Sequence, residues 1–289
     1  MSSESENAYF IPHDAKWPIV GSIGLTLLLG GFANQLNGST SATNVMIVGF
    51  LVLVYMMFGW FGEVIDESES GTYGQSEDAS FRMGMIWFIF SEVMFFAAFF
   101  GALYYIRVFS VPWLAGDGSG ASTNEFLWSN FEAIWPTNGP GDIGGEYKKM
   151  GAWGLPAINT LLLLTSGVTC TWAHWGLVAN KRKQLIIGLA LTVTLGFIFV
   201  GLQVLEYSHG YHELNLKLGT GVYGSTFYML TGFHGFHVTV GAIMLTVMLF
   251  RSIKGHFTPE NHFAFEAAAW YWHFVDVVWL GLFIFVYWL

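Results

Sequence analysis

The sequence predicts an all-α, polytopic membrane protein with seven transmembrane helices, and three observations carry that prediction. Of the 289 residues, 54% are hydrophobic, 18% aromatic and only 11% charged, where soluble domains have roughly 25% charged residues; lipid is therefore the solvent for most of the chain. Seven stretches hold the ~20 mostly apolar residues that a helix needs to cross a bilayer. None alternates apolar and polar residues as a barrel strand does, and only helices or closed barrels satisfy their backbone hydrogen bonds inside hydrocarbon.

The first span, 17–36, follows the polar, acidic start MSSESENAYFIPHDAK, which lacks the basic head and short apolar core of a cleavable signal and is expected to stay in the mature protein. The second, 42–62, leads into the acidic loop EVIDESESGTYGQSEDASFR, and the third, 81–109, carries FIFSEVMFFAAFF with Glu92 at its centre. The longest loop, about 110–152, holds GDGSGAS and TNGPGDIGG, which have no periodicity and read as irregular surface chain. The fourth span, 153–178, is joined by the basic turn KRKQ to the fifth, 185–206; the sixth is 223–250 and the seventh 264–289. No repeat, heptad or linker divides the chain into soluble domains.

Basic residues near span ends set orientation. A cytoplasmic N-terminus leaves Lys16, Arg82, Lys181, Arg182, Lys183, Arg251 and Lys254 inside and Arg107, Lys148, Lys149 and Lys217 outside, a mild excess inside. The long loop then faces the periplasm, as does the C-terminus, where Tyr287 and Trp288 suit an interfacial aromatic belt. The net charge of -9 comes mostly from acids at the N-terminus and in loops, which excludes a nucleic-acid-binding surface. Cys170 stands alone in an apolar run and reads as a packing residue.

Acids and histidines at membrane depth should face protein or water. They are Glu92, His174, Glu206, His234, His237, Glu266, His273 and Asp276, with Glu63 at the edge of the second span. Glu92 reads either as a proton-exchanging carboxylate or as a neutral acid hydrogen bonded in the bundle. His234 and His237 in TGFHGFH share a helix face and could ligate metal or haem iron. The flanking Gly232 and Gly235, which suit close helix packing, favour hydrogen bonding to a helix or a lipid headgroup instead. His273 and Asp276, three apart, are either a carboxylate-oriented imidazole or a mutually satisfied polar pair between helices. His174 in TWAHW, with Glu206 and Tyr207 at the end of the fifth span, reads as interfacial anchoring. There is no phosphate-cradling loop, cysteine pair or nucleophile elbow, so the residues favour a packing subunit over a standalone enzyme.

SEVMFFAAFFGALYY, TWAHW, TLGFIFVGLQVLEY, GVYGSTFYMLTGFHGFHV and FEAAAWYWHFVDVVWL together resemble cytochrome c oxidase subunit III. KWPIVGSIG and GEVIDES extend the likeness, more weakly, into the N-terminal third. Quinol-oxidase counterparts and short relatives associated with nitric oxide reductase usually have five spans, so seven favour the cytochrome c branch. The resemblance implies a two-helix unit, 1–80, separated from a five-helix bundle, 81–289, by a V-shaped, lipid-filled cleft. It implies a non-catalytic core subunit of a proton-pumping oxidase, with no metal and no cofactor of its own beyond bound phospholipids. Haem and copper belong to partner subunits. The resemblance further implies subunit I as the main contact, with subunit II and possible small subunits beside it, and cytochrome c as the donor to a complex expected in the bacterial inner membrane.

The same resemblance makes Glu92 the proton-related intramembrane carboxylate and gives lipid-binding or subunit-packing roles to Trp60, Glu67, His234, His237, Arg251, Glu266, His273 and Asp276. One departure stands out: Asp66 occupies the place where many relatives carry a headgroup-binding arginine, with Arg82 or Arg251 as possible substitutes. Nine residues from Met83 at about 1.5 Å each put Glu92 roughly 14 Å into its helix, near the bilayer midplane. It is expected to be protonated, or to share a proton with a neighbour on the seventh span or on the catalytic subunit. Two other classes stay open: a transporter, which should show interrupted helices at a midplane site, and a b-type haem protein using His234 or His273.

Overall fold

The computed structural model describes residues 9–12 and 15–289, and among these the regular structure is entirely helical, with no strand. Most of the polar start discussed above lies outside the described residues. The helices are α1 (Trp17–Leu36), α2 (Ala42–Glu69), α3 (Gln75–Tyr105), the single turn α4 (Val111–Leu114), α5 (Ala121–Leu127), α6 (Leu155–Val178), α7 (Arg182–His212), α8 (Gly221–Lys254) and α9 (Phe263–Leu282). A π-helical turn, Ile106–Ser110, runs α3 into α4, and another, Phe283–Trp288, continues α9. Seven of these helices, taken with their continuations, are long and apolar enough to cross a membrane, which is the build of a multi-pass membrane protein.

Several helices outrun the expected spans. α2 continues to Glu69 and α3 begins at Gln75, so most of the expected acidic loop is helix and only 70–74 connects. Hydropathy marks the stretch inside hydrocarbon; EVIDESE is helix-compatible but too polar to count. α7 likewise runs to His212, past Glu206. In the long loop, Ala121–Leu127 forms a short helix, while 128–154 has no regular helix.

The chain forms two compact units, one ending at Met83 and the other Gly84–Leu289, the division falling within α3. In the first, α1 and α2 form a hairpin whose backbones come together at glycines. A Cβ on Gly49 would stand 2.5 Å from the Leu28 nitrogen, and one on Gly31 would stand 2.7 Å from Met46. Small residues permit this approach in lipid, where packing rather than the hydrophobic effect holds helices together. Trp17 lies over Gly59 and donates its indole N–H to Glu63. Glu77 at the start of α3 is buried and accepts hydrogen bonds from the backbone N–H groups of Phe10 and Gly74 at 2.6 and 2.9 Å.

In the second unit, α6, α7, α8 and α9 pack α6 on α7, α7 on α8, α8 on α9 and α9 back on α6. Trp272 and Trp279, two turns apart on α9, are wholly buried, and their indole N–H groups donate to Ser166 and Thr160 of α6, both at 2.9 Å. Gly196 of α7 and Gly241 of α8 make room for the Trp272 ring. Gly255 ends α8 in the left-handed region, φ +85°, as a C-terminal glycine does, and Arg182 at the start of α7 donates to the Ile253 carbonyl there. The long loop is tied to the opposite end of this bundle. Tyr147 stacks on Tyr223, the Tyr223 N–H donates to the Thr137 carbonyl at 3.1 Å, and Lys148 N–H donates to Leu214 at 2.9 Å.

Candidate functional site

The apolar run of α3 carries Glu92 to α8, where His237 meets it. The Glu92 carboxyl and His237 Nε2 are 2.8 Å apart, with side chains 22% and 9% exposed. The other imidazole nitrogen, Nδ1, lies 2.6 Å from the Phe233 carbonyl one turn back. A carbonyl only accepts, so Nδ1 carries a proton. The bond to Glu92 then holds one further proton, donated either by imidazolium Nε2–H to the carboxylate or by the carboxylic acid to Nε2. Either arrangement is neutral as a pair, which offsets the cost of an acid in hydrocarbon. Phe96 stands edge-on to the imidazole at 5.0 Å and Tyr271 stacks on it at 6.3 Å, with Phe95 and Phe274 around them. Within this chain the hydrogen-bond partner of Glu92 is thus on the sixth span, where the expectation had a neighbour on the seventh or on the catalytic subunit, because the α3 and α8 side chains meet in this aromatic pocket.

His234, one turn from His237, serves a different neighbour. It is fully buried, and its Nε2–H donates to the Val275 carbonyl of α9 at 3.0 Å, between Phe199 and Trp279. The two histidines therefore do not converge on one ligand, and the nitrogens of His237 are both engaged. Gly235 between them fits against the Gln203 side chain of α7.

His273 and Asp276 are not joined. His273 Nε2 lies 3.3 Å from the Thr171 hydroxyl, and Asp276 sits against Gly167, where a Cβ would come within 2.7 Å of its carboxylate. Both residues lean on α6, so neither the oriented imidazole nor the mutual pair forms. Glu206 is 1% exposed and accepts from the Tyr287 hydroxyl at 2.6 Å, while the Tyr207 hydroxyl pairs with Thr231 at 2.7 Å. These are interhelical ties rather than interfacial anchors, because α7 continues beyond them.

Trp60 is exposed on α2, and Glu67 accepts from the Tyr73 hydroxyl. Asp66 is exposed. Arg82 is paired with Asp78 at 2.7 Å, and Arg251 is buried with its guanidinium over Phe257 at 4.7 Å. Glu266 joins His174 and His262, the three ligand-capable atoms lying within 4.8 Å of one another.

A family model described as cytochrome c oxidase subunit III matches residues 7–116 and 126–289. Among curated relatives, cytochrome c oxidase subunit 3 of Carassius auratus is 40% identical over 283 residues, 98% of this chain and 97% of the relative. That of Marchantia polymorpha is 39% identical over 289 residues, 100% of this chain and 98% of the relative. The chain belongs to the cytochrome c oxidase subunit III family.

For a subunit III, the structure adds residues that the sequence reading passed over. His262 went unremarked because a lone loop histidine shows no period. Gln203, whose amide donates to the Thr231 carbonyl at 2.9 Å, looks in sequence like an ordinary polar residue. The Trp272 and Trp279 spacing was legible as one helix face, and Ser166 and Thr160 supply the acceptors.

Proposed function

We propose that this chain is a non-catalytic subunit of a proton-pumping cytochrome c oxidase, steadying the catalytic subunit, binding phospholipid and supporting proton uptake. The observation that carries this reading is the contact of the Glu92 carboxyl with His237 Nε2, at 2.8 Å, within the apolar spans. The proton between them passes from acid to base without leaving net charge in lipid, so the pair can buffer or tune proton access without being an obligatory step. Dioxygen reduction to water, with its haem and copper, then belongs to partner subunits. Subunit I is the main contact, subunit II and smaller subunits complete the complex, and cytochrome c delivers electrons to it. Engagement of both His237 nitrogens, by Phe233 and by Glu92, supports a chain in which that residue holds no haem.

Lipid binding is supported by the many exposed large apolar side chains along α1, α2 and α3, with Trp60 and Glu67 in the second half of α2 and Arg251 and Glu266 as headgroup or subunit contacts. We place the chain in a bacterial inner membrane with its N-terminus in the cytoplasm, an orientation that the mild excess of basic residues on that side supports.

The test is purification through a tag on this chain in mild detergent, with an optical spectrum and metal analysis before and after the chain is stripped away. Haem and copper should co-purify and stay with the partner. Haem retained by the stripped chain, or purification of the chain alone, would refute the assignment. In the intact complex, Glu92→Gln should leave electron transfer running while altering proton uptake; loss of electron transfer would refute the supporting role.

A further inference from the structure

Where α6 and α8 end and α9 begins, three side chains from two parts of the chain converge. His174 lies near the end of α6, His262 just before α9 and Glu266 in its first turn. Nε2 of His174 and Nε2 of His262 are each 3.9 Å from Glu266 Oε1. Those separations are too long for hydrogen bonds. Three ligands held tetrahedrally at about 2.0–2.2 Å from a zinc ion lie roughly 3.3–3.6 Å from one another, so a small inward movement brings these atoms onto a common ion.

The environment prepares the donors as well. His262 Nδ1–H donates to the Thr258 carbonyl at 3.0 Å, which fixes the tautomer and leaves the Nε2 lone pair turned toward Glu266; backbone carbonyls orient metal-binding histidines in this way. His174 Nε2 is buried without a hydrogen-bond partner. The rings of His174 and His262 stand 5.7 Å apart, and Phe265 closes the apolar side against His174 at 5.4 Å. Two imidazoles and one carboxylate suit zinc or a similar transition ion; magnesium and calcium prefer oxygen ligands.

We propose that His174, His262 and Glu266 form a divalent transition-metal site, with zinc the natural occupant, that clamps the 255–262 connection to the end of α6. With three protein ligands, the fourth position is left to water. This site is distinct from the Glu92–His237 pair and does not depend on the role proposed for that pair.

The experiment is zinc equilibrium dialysis of the full chain purified with its partners and first stripped by a chelator, with bound zinc counted per chain. Wild type is compared with His262→Gln and Glu266→Gln. Each variant should lose one zinc, or bind it about tenfold or more weakly; sites on partner subunits cancel in the comparison. Identical isotherms for all three would overturn the proposal. Because a variant could fail to assemble, hydrogen exchange is also measured on wild type with and without zinc. Slower exchange across 255–266 is expected, and no change there would overturn the proposal too.

Discussion

The α1–α2 hairpin and the α6–α9 bundle solve the same problem in different ways. In each of α6 to α9, 33 to 39% of the apolar stretch is buried within the chain, against 6 to 17% in α1, α2 and α3. The hairpin is joined where glycines let one backbone touch the other, as Gly49 does against Leu28. The bundle uses glycines too, as Gly188 does against Ala173, and adds large side chains that carry a polar handle, as Trp272 and Trp279 do on α6. Helices in lipid gain little from hiding apolar surface, so van der Waals contact and interhelical hydrogen bonds must do the joining. The hairpin relies chiefly on the first and the bundle on both.

The largest effect that sharpens this contrast is expected in the bundle. Trp272→Ala removes a fully buried ring set on Gly196 and Gly241 and the hydrogen bond that Ser166 accepts from it; cavity formation at a buried tryptophan costs about 3–5 kcal/mol. Thermal unfolding in detergent, read by hydrogen exchange in α6 and α7, should show the loss. Unchanged protection there would mean that the indole is not what closes α9 on α6.

The next effect concerns α3, which stands outside that closed set. The backbones of α3 and α8 stay apart, so side chains such as Glu92, Phe95 and Phe96 make the connection to His237 and Phe233. A double-mutant cycle with Glu92→Gln and His237→Gln should give a coupling of about 1.5–3 kcal/mol, the range for hydrogen bonds to charged groups. Additive variants would show that the aromatic contacts alone hold α3. In the hairpin, Gly49→Val forces apart two backbones whose spacing leaves no room for a Cβ. Overpacking of this kind costs about 1–3 kcal/mol, and limited proteolysis between α1 and α2 should speed up while α6–α9 stay protected.

How much of this was legible in the sequence follows from the range of each signal. Hydropathy is local, so all seven spans could be read. It stops at the membrane surface, so the helical continuation of α2 through EVIDESE could not. Glu92 announced itself as an acid among phenylalanines, but its partner lies 145 residues away, and periodicity says nothing across that distance. Three-residue spacing likewise shows that His273 and Asp276 share a face, not that they touch; each finds α6 instead. His174, His262 and Glu266 were invisible as a group, because the loop that brings His262 to α6 has no pattern linking it to that helix.

The smallest effect tests what the Trp17 hydrogen bond adds to the hairpin. Trp17 is buried at the start of α1, with its N–H on Glu63, its ring over Gly59 and its edge against Tyr55 at 5.7 Å. Trp17→Phe keeps an aromatic ring over the glycine and deletes the donor, so it isolates the hydrogen bond from the packing. Interhelical hydrogen bonds in membrane proteins average about 0.6 kcal/mol and reach about 1.7. A loss in that range, read as faster exchange near the open end of α1 with α6–α9 unaffected, would make the Trp17–Glu63 bond a polar latch on the glycine contact. No loss would leave the hairpin held by its packing and its other contacts, and Glu63 would then be an acid tolerated at the membrane edge rather than one recruited to hold Trp17.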